Sequence, residues 1–141
     1  MTVDHDKVRS KLQFLRGALQ RLEEIRDRGA ETFLSEQILQ DAAVRNLQVG
    51  IEAMLDVANH IVAYENLGVP GTYRQSLEIL LQNQILPADH GPAFLRMVGF
   101  RNRAVHLYDS LDSEEILEIL NHDLGDFEAF LGAIARRYLP S

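Results

Sequence analysis

Arg101, Asn102, His106 and Tyr108 are the residues of this chain whose types and spacing could do chemistry. They lie in the stretch Met97-Val98-Gly99-Phe100-Arg101-Asn102-Arg103-Ala104-Val105-His106-Leu107-Tyr108, where polar groups interrupt an apolar helical stripe. At about 100° per residue, Phe94, Val98, Arg101, Val105 and Tyr108 fall on one narrow strip, so Arg101 points where a core is expected. A guanidinium keeps its proton, and a buried charge is normally paired, bound to a ligand or placed at an interface. His106 can act as base or acid near neutral pH. Arg101 offers a fixed fork to phosphoryl oxygens, and Asn102, one turn before His106, can orient either group. This inventory fits phosphodiester cleavage in RNA without a metal. In that reaction a 2′-hydroxyl loses a proton as it attacks phosphorus, the departing 5′-oxygen gains one, and the anionic phosphorane is stabilised. One histidine per chain falls short of two proton transfers, so two copies meeting at a dimer interface would complete the set. The plainer alternative is that Arg101 pairs with an acid on a neighbouring helix, while His106 and Tyr108 are core-edge residues.

The elements that must position these residues read as helices throughout. Val8, Leu12, Leu15, Leu19, Leu22 and Ile25 predict a packing helix from about Val3 to Arg28, stopped at Gly29. Ser35 is the expected cap of a second helix reaching about Leu67, with Val44, Leu47, Ile51, Met54, Leu55, Ala58, Ile61 and Val62 on its apolar face. Beside that face runs a polar line, Asp41, Arg45, Gln48, Glu52, Asp56 and Asn59. Asp41 and Arg45 are spaced for an i,i+4 pair, and Glu52 or Asp56 could supply the carboxylate that holds Arg101; the alternative is a solvated face.

After the break Gly68-Val69-Pro70-Gly71, Thr72-x-x-Gln75 reads as a capping box opening a short helix that ends near Leu86. Asp89 is the expected cap of the motif helix, and Gly99 within it suggests a close backbone approach, such as a dimer axis, or simple tolerance. Asp112-x-x-Glu115 is expected to cap one last helix, whose seam runs from Ile116 to Tyr138, with Arg136, Arg137 and Pro140 at its end. No strand-like alternation, repeat or glycine-rich phosphate loop is present. The expected fold is all-α, an up-and-down bundle of about four to five helices forming a single domain over residues 1–141.

Composition narrows the function classes. With 46% hydrophobic and 25% charged residues the chain is of ordinary globular type. It has no cysteine, no long apolar run and an acidic N-terminus without an apolar signal core, so a cytoplasmic protein with no membrane partner is expected. The net charge of −7 argues against a general nucleic-acid coat. An RNA substrate therefore calls for a local cationic patch, for which Arg96, Arg103, Arg74, Arg136 and Arg137 are the candidates. The five histidines show no metal-ligand spacing: His106 and His122 belong to different helices, and His5, His60 and His90 are scattered, so neither metal nor cofactor is expected.

Arg101-Asn102-x-x-x-His106-x-Tyr108 resembles the R-x4-H-x-Y motif of the HEPN superfamily, and most closely its HepT-like branch, the toxin half of HepT/MntA toxin–antitoxin pairs. The flanking residues, the chain length and the helical layout resemble that branch as well. The resemblance implies a HEPN-like bundle, a homodimer and a toxin ribonuclease that cleaves tRNA or mRNA but not DNA. It gives Arg101, Asn102 and His106 as catalytic residues, with Glu52 in support. It further implies an MntA-like nucleotidyltransferase antitoxin that AMPylates Tyr108, placing negative charge beside Arg101 and repelling RNA. The rival reading is a non-catalytic helical subunit that binds a nucleotidyltransferase.

Overall fold

A computed structural model describes residues 3–139 and contains seven α-helices among them. They are α1 (His5–Arg26), α2 (Ala30–Ser35), α3 (Gln37–Tyr64), α4 (Tyr73–Gln82), α5 (Gly91–His106), α6 (Ser113–His122) and α7 (Leu124–Tyr138). The apolar seams predicted for α1 and α3 are buried as predicted, and α3 is the central helix, touching α1, α2, α4, α5 and α6. The cross-links give its direction relative to its neighbours. Asp4 meets His60, Lys11 meets Asp56 and Arg21 meets Asn46, so α1 runs antiparallel to α3. Asp41 meets Tyr108 while Glu52 meets Arg101, so the segment containing α5 also runs against α3. The layout is the up-and-down bundle expected of these helices.

Two departures raise the helix number above five. Gly29 adopts φ +89°, a left-handed conformation that favours glycine, and opens α2, whose six residues bury Phe33 completely. With one buried apolar side chain, α2 has no periodicity to announce it. Ser35 belongs to α2 and turns its hydroxyl back to the Thr32 carbonyl, so it does not cap α3; Glu36 occupies that position without a side-chain bond. Gln40 Nε2 instead reaches back from α3 to the Phe33 and Leu34 carbonyls. The second departure is a break at Asp123, which divides the predicted last helix into α6 and α7. Leu120 and Leu124 flank the break and are both buried, which is why the apolar seam runs through it unbroken.

The caps differ in detail from the sequence reading. Thr72 Oγ1 accepts from the Gln75 amide, but Gln75 Oε1 reaches the Gly71 amide, and α4 ends at Gln82, not Leu86. Asp89 lies in a 3-10 turn, Ala88–His90, and does not cap α5; His90 takes the cap position and bonds Asp126 of α7 at 2.9 Å. Asp112 does cap α6, through the Glu114 amide. Nothing lies within 4 Å of a Cβ built at Gly99, so packing within this chain does not require glycine there. Pro140 lies outside the described residues.

The start of α1 depends on a neutral histidine. Asp4 caps α1 while its own amide donates to Nε2 of His60, which is 6% exposed and packs at a tilt against the Tyr64 ring. Burial, then the nearby Lys7, pushes the His60 pKa below its ordinary 6.5. The folded chain therefore holds this proton more weakly than the unfolded chain. The resulting stability is whole above 6.5 and is lost as pH falls from there through the lowered folded value. Thermal melts of parent and His60→Gln across that window are expected to show a steeper loss in the parent.

Candidate active site

Arg101 is held by its own helix and two others. Its Nε and Nη2 donate to Glu52 Oε2 on α3 at 3.2 and 3.0 Å, and Nη1 donates to the neighbouring Asn102 Oδ1 at 3.2 Å. The guanidinium carbon lies 5.6 Å from the ring centroid of Tyr73, at the start of α4. Arg101 and Glu52 side chains are 20% and 33% exposed, so the pair sits at the rim of the core. Three of the five guanidinium N–H groups are used in these bonds, leaving two for a ligand. The sequence left Glu52 and Asp56 as alternatives for this role. The choice is Glu52, because Asp56 bonds Lys11 of α1.

His106 is the last residue of α5 and is exposed, one turn beyond the exposed Asn102. Glu52, Arg101 and Asn102 thus form a bonded chain whose last member lies one helical turn before His106. Val105 departs from the expected core strip: it is exposed beside Leu107. Tyr108 departs too. Helix α5 stops at His106, Leu107 is its C-cap, and Tyr108 opens a 3-10 turn, Tyr108–Ser110, outside the helix. The residue is 48% exposed and its hydroxyl donates to Asp41 Oδ1 at 2.8 Å. That hydrogen bond, followed by burial, raises the Tyr108 pKa. Bonds from Gln37 and then Tyr108 lower that of Asp41.

The polar line of α3 faces other elements at four of its six positions. Asp41 takes Tyr108, Glu52 takes Arg101, Asp56 takes Lys11 and Asn59 takes Ser76. Asp41 accepts from Gln37 and Tyr108 in place of the expected Arg45. Arg103 was expected in a cationic patch, but its Nη2 donates to Glu115 Oε2 at 3.0 Å and to the Ser110 carbonyl at 2.9 Å. Glu115 is therefore committed to Arg103, and the predicted capping box loses its second half. Arg74 is likewise paired, with Glu78 at 3.9 Å. Among the described residues no three His, Asp or Glu side chains gather in a metal-binding group.

Arg103 thus acts as a staple, joining the turn after the motif to α6. Solvent screening holds ion pairs of this kind to about 0.2–1 kcal/mol; with both side chains 36% exposed and a second bond to the Ser110 carbonyl, this one lies at the upper end. Arg103→Ala is expected to speed amide exchange at Ser110 and Leu111, whose amides close the turn, severalfold, leaving the α3 interior unchanged.

Comparison with known proteins agrees with the fold. The mRNA nuclease HepT of Shewanella oneidensis is 33% identical over 130 residues, covering 92% of this chain and 97% of the relative. The tRNA nuclease HepT of Aphanizomenon flos-aquae is 24% identical over 127 residues, covering 90% and 86%. The solved structure of tri-AMPylated Shewanella oneidensis HEPN toxin in complex with MNT antitoxin superposes with a TM-score of 0.86 at 33% identity, covering 93% of this chain and 98% of that one. A sequence model described as Ribonuclease HepT-like matches residues 15–134, and the chain belongs to that family.

Proposed function

We propose that this chain is the toxin ribonuclease of a toxin–antitoxin pair, a metal-independent endonuclease of mRNA or tRNA that is neutralised when a nucleotidyltransferase antitoxin AMPylates Tyr108. The observation that carries the reading is the Glu52–Arg101–Asn102 bonded chain on a helix whose last residue, one turn past Asn102, is His106. It puts a fixed cation with unspent donors and an exposed imidazole on the same last turns of one helix. The nuclease names of relatives matched over nearly their full length support it, as does the AMPylated toxin among the similar structures.

In the proposed reaction His106 takes the 2′-hydroxyl proton as that oxygen attacks phosphorus, or returns one to the departing 5′-oxygen. Arg101 offers its unspent N–H groups to the phosphorane oxygens, and Asn102 fixes the angle of the fork. Both proton transfers in one event require a second imidazole. Two chains paired through the exposed ends of α5 supply it, with Val105 and Leu107 as apolar contacts between copies. AMPylation of Tyr108, whose hydroxyl lies at Asp41, silences this site by adding phosphate charge just past the end of the motif helix, which repels and blocks RNA. No helix of the described residues is long and apolar enough to cross a membrane, in keeping with action on RNA in the cytoplasm.

The test is cleavage of total tRNA and of an mRNA in excess EDTA, using protein whose intact mass shows no modification. New ends bearing 2′,3′-cyclic phosphate are expected from the parent, and none from protein carrying AMP on Tyr108. Cleavage that vanishes with EDTA would overturn the metal-independent reading. Absence of cleavage by unmodified, dimeric protein on both substrates would favour the nucleotidyltransferase-binding subunit.

A further inference from the structure

The nuclease chemistry makes no use of Asp41, yet its carboxylate is the group that the Tyr108 hydroxyl touches. The bond is 2.8 Å long and joins residues 67 apart in sequence. The same oxygen, Oδ1, accepts from Gln37 Nε2 at 2.9 Å, one turn earlier on α3, so the carboxylate is oriented from behind. Arg103 holds the other end of the Tyr108–Ser110 turn through the Ser110 carbonyl. Both Asp41 and Tyr108 are exposed, which leaves the phenolic oxygen open to a nucleotide while its proton lies on the carboxylate side.

We propose that Asp41 is the general base for adenylyl transfer to Tyr108. This rests on the modification reading given above. The Tyr108 oxygen attacks the α-phosphorus of a nucleoside triphosphate brought by the transferase. The new O–P bond forms as the bond from the α-phosphorus to the bridging oxygen breaks, and pyrophosphate leaves with that electron pair. The hydroxyl proton crosses to Asp41 Oδ1 and passes from there to solvent. In the resting chain the proton belongs to tyrosine: Asp41 is held in its ionised form by Gln37 and Tyr108, and Asp109 beside the ring further disfavours a phenolate. Transfer of the proton becomes downhill only as the O–P bond develops and the phenolic oxygen loses its basicity. A base already in contact removes the need to wait for a rare phenolate. Asp109 is the other charged group acting on Tyr108, and Arg45 lies one turn along α3 from Asp41.

The experiment compares unmodified parent, Asp41→Asn, Asp41→Ala and Tyr108→Phe chains, each incubated with the cognate MNT-type nucleotidyltransferase, ATP and magnesium. AMP incorporation is timed by intact mass from about pH 6 to about pH 9, a range in which a carboxylate base stays ionised. The parent rate, divided by that of a transferase control on a free tyrosine peptide, is expected to be level. Asp41→Asn keeps the shape and an acceptor oxygen but removes the base. Its rate is expected to fall by about 10²-fold at neutral pH and to climb close to tenfold per pH unit as phenolate forms. Ultraviolet titration, read as the difference from Tyr108→Phe, is expected to show Tyr108 ionising at lower pH in Asp41→Asn than in the parent. An Asp41→Asn chain with the parent's rate and level profile would overturn the base role and leave the modification reading standing. Faster transfer to Asp41→Ala would also overturn it, making the contact a latch. Incorporation that is absent from the parent, or equal in Tyr108→Phe, would remove the modification reading and the base with it.

Discussion

His106→Ala is expected to reduce RNA cleavage by about 10²–10⁴-fold, the range a positioned acid or base contributes, while thermal stability changes by less than about 0.5 kcal/mol. The structural half of that expectation follows from position. His106 is exposed at the last residue of α5, a helical amide there bonds back to the preceding turn independently of the side chain, and Leu107 closes the helix through the Arg103 carbonyl. Truncation therefore opens no cavity and orphans no buried group. The chemical half follows from the inventory: one turn past Asn102, His106 contributes an imidazole, the side-chain type suited to general acid–base work. Single-turnover cleavage measured beside solution mass checks both halves. A folded His106→Ala chain that cleaves at the parent rate would remove the proposed chemistry. If the site needs one imidazole from each of two chains, mixing an excess of His106→Ala chain into the parent is expected to lower cleavage below the parent's own share, because mixed dimers hold a single imidazole.

Much of this arrangement is legible in the sequence because it depends on periodicity. The seam of α1 and the face of α3 are long apolar repeats, and burial follows them residue for residue. The motif helix is legible for the same reason down to Arg101, whose polar group on an apolar strip demands a partner and finds Glu52. What periodicity does not carry is where a helix stops. Tyr108 falls on the strip only if α5 continues, but the chain leaves the helix at Leu107, and the tyrosine reaches Asp41 from a 3-10 turn instead. The partner choice of Asp41 was hidden by a nearer candidate: Arg45 has the spacing for a helix pair, yet such exposed pairs contribute only a few tenths of a kcal/mol and yield to a tertiary contact. Arg103 was misplaced in an RNA patch for a related reason. Its seven-residue spacing from Arg96 is visible, whereas the proximity of Ser110 and Glu115 arises from the reversal between α5 and α6. Helix α2 lacked any repeat, and only the left-handed Gly29 at its start hints at it.

Arg101→Ala and Glu52→Gln are expected to separate the charge at the site from the scaffold that aims it. Arg101→Ala removes the stabilising cation and is expected to lower the cleavage rate by about 10²–10³-fold, as loss of one preorganised transition-state donor does. It also leaves Glu52 unpaired. At 33% exposure that carboxylate retains water, so the stability cost is about 1–2 kcal/mol, between the values for exposed and buried pairs. Glu52→Gln keeps an acceptor oxygen near Nε and Nη2 but not the charge, so the fork is held less firmly above Tyr73. A shift of the guanidinium by about 1 Å would cost on the order of 10²-fold in rate; Asn102 and Tyr73 retain part of the geometry, so about tenfold is expected. The double variant decides whether Glu52 acts through Arg101. If it does, Glu52→Gln has little further effect once Arg101 is alanine, and the two losses are strongly non-additive. Independent, additive losses would mean that Glu52 serves the reaction by a route of its own.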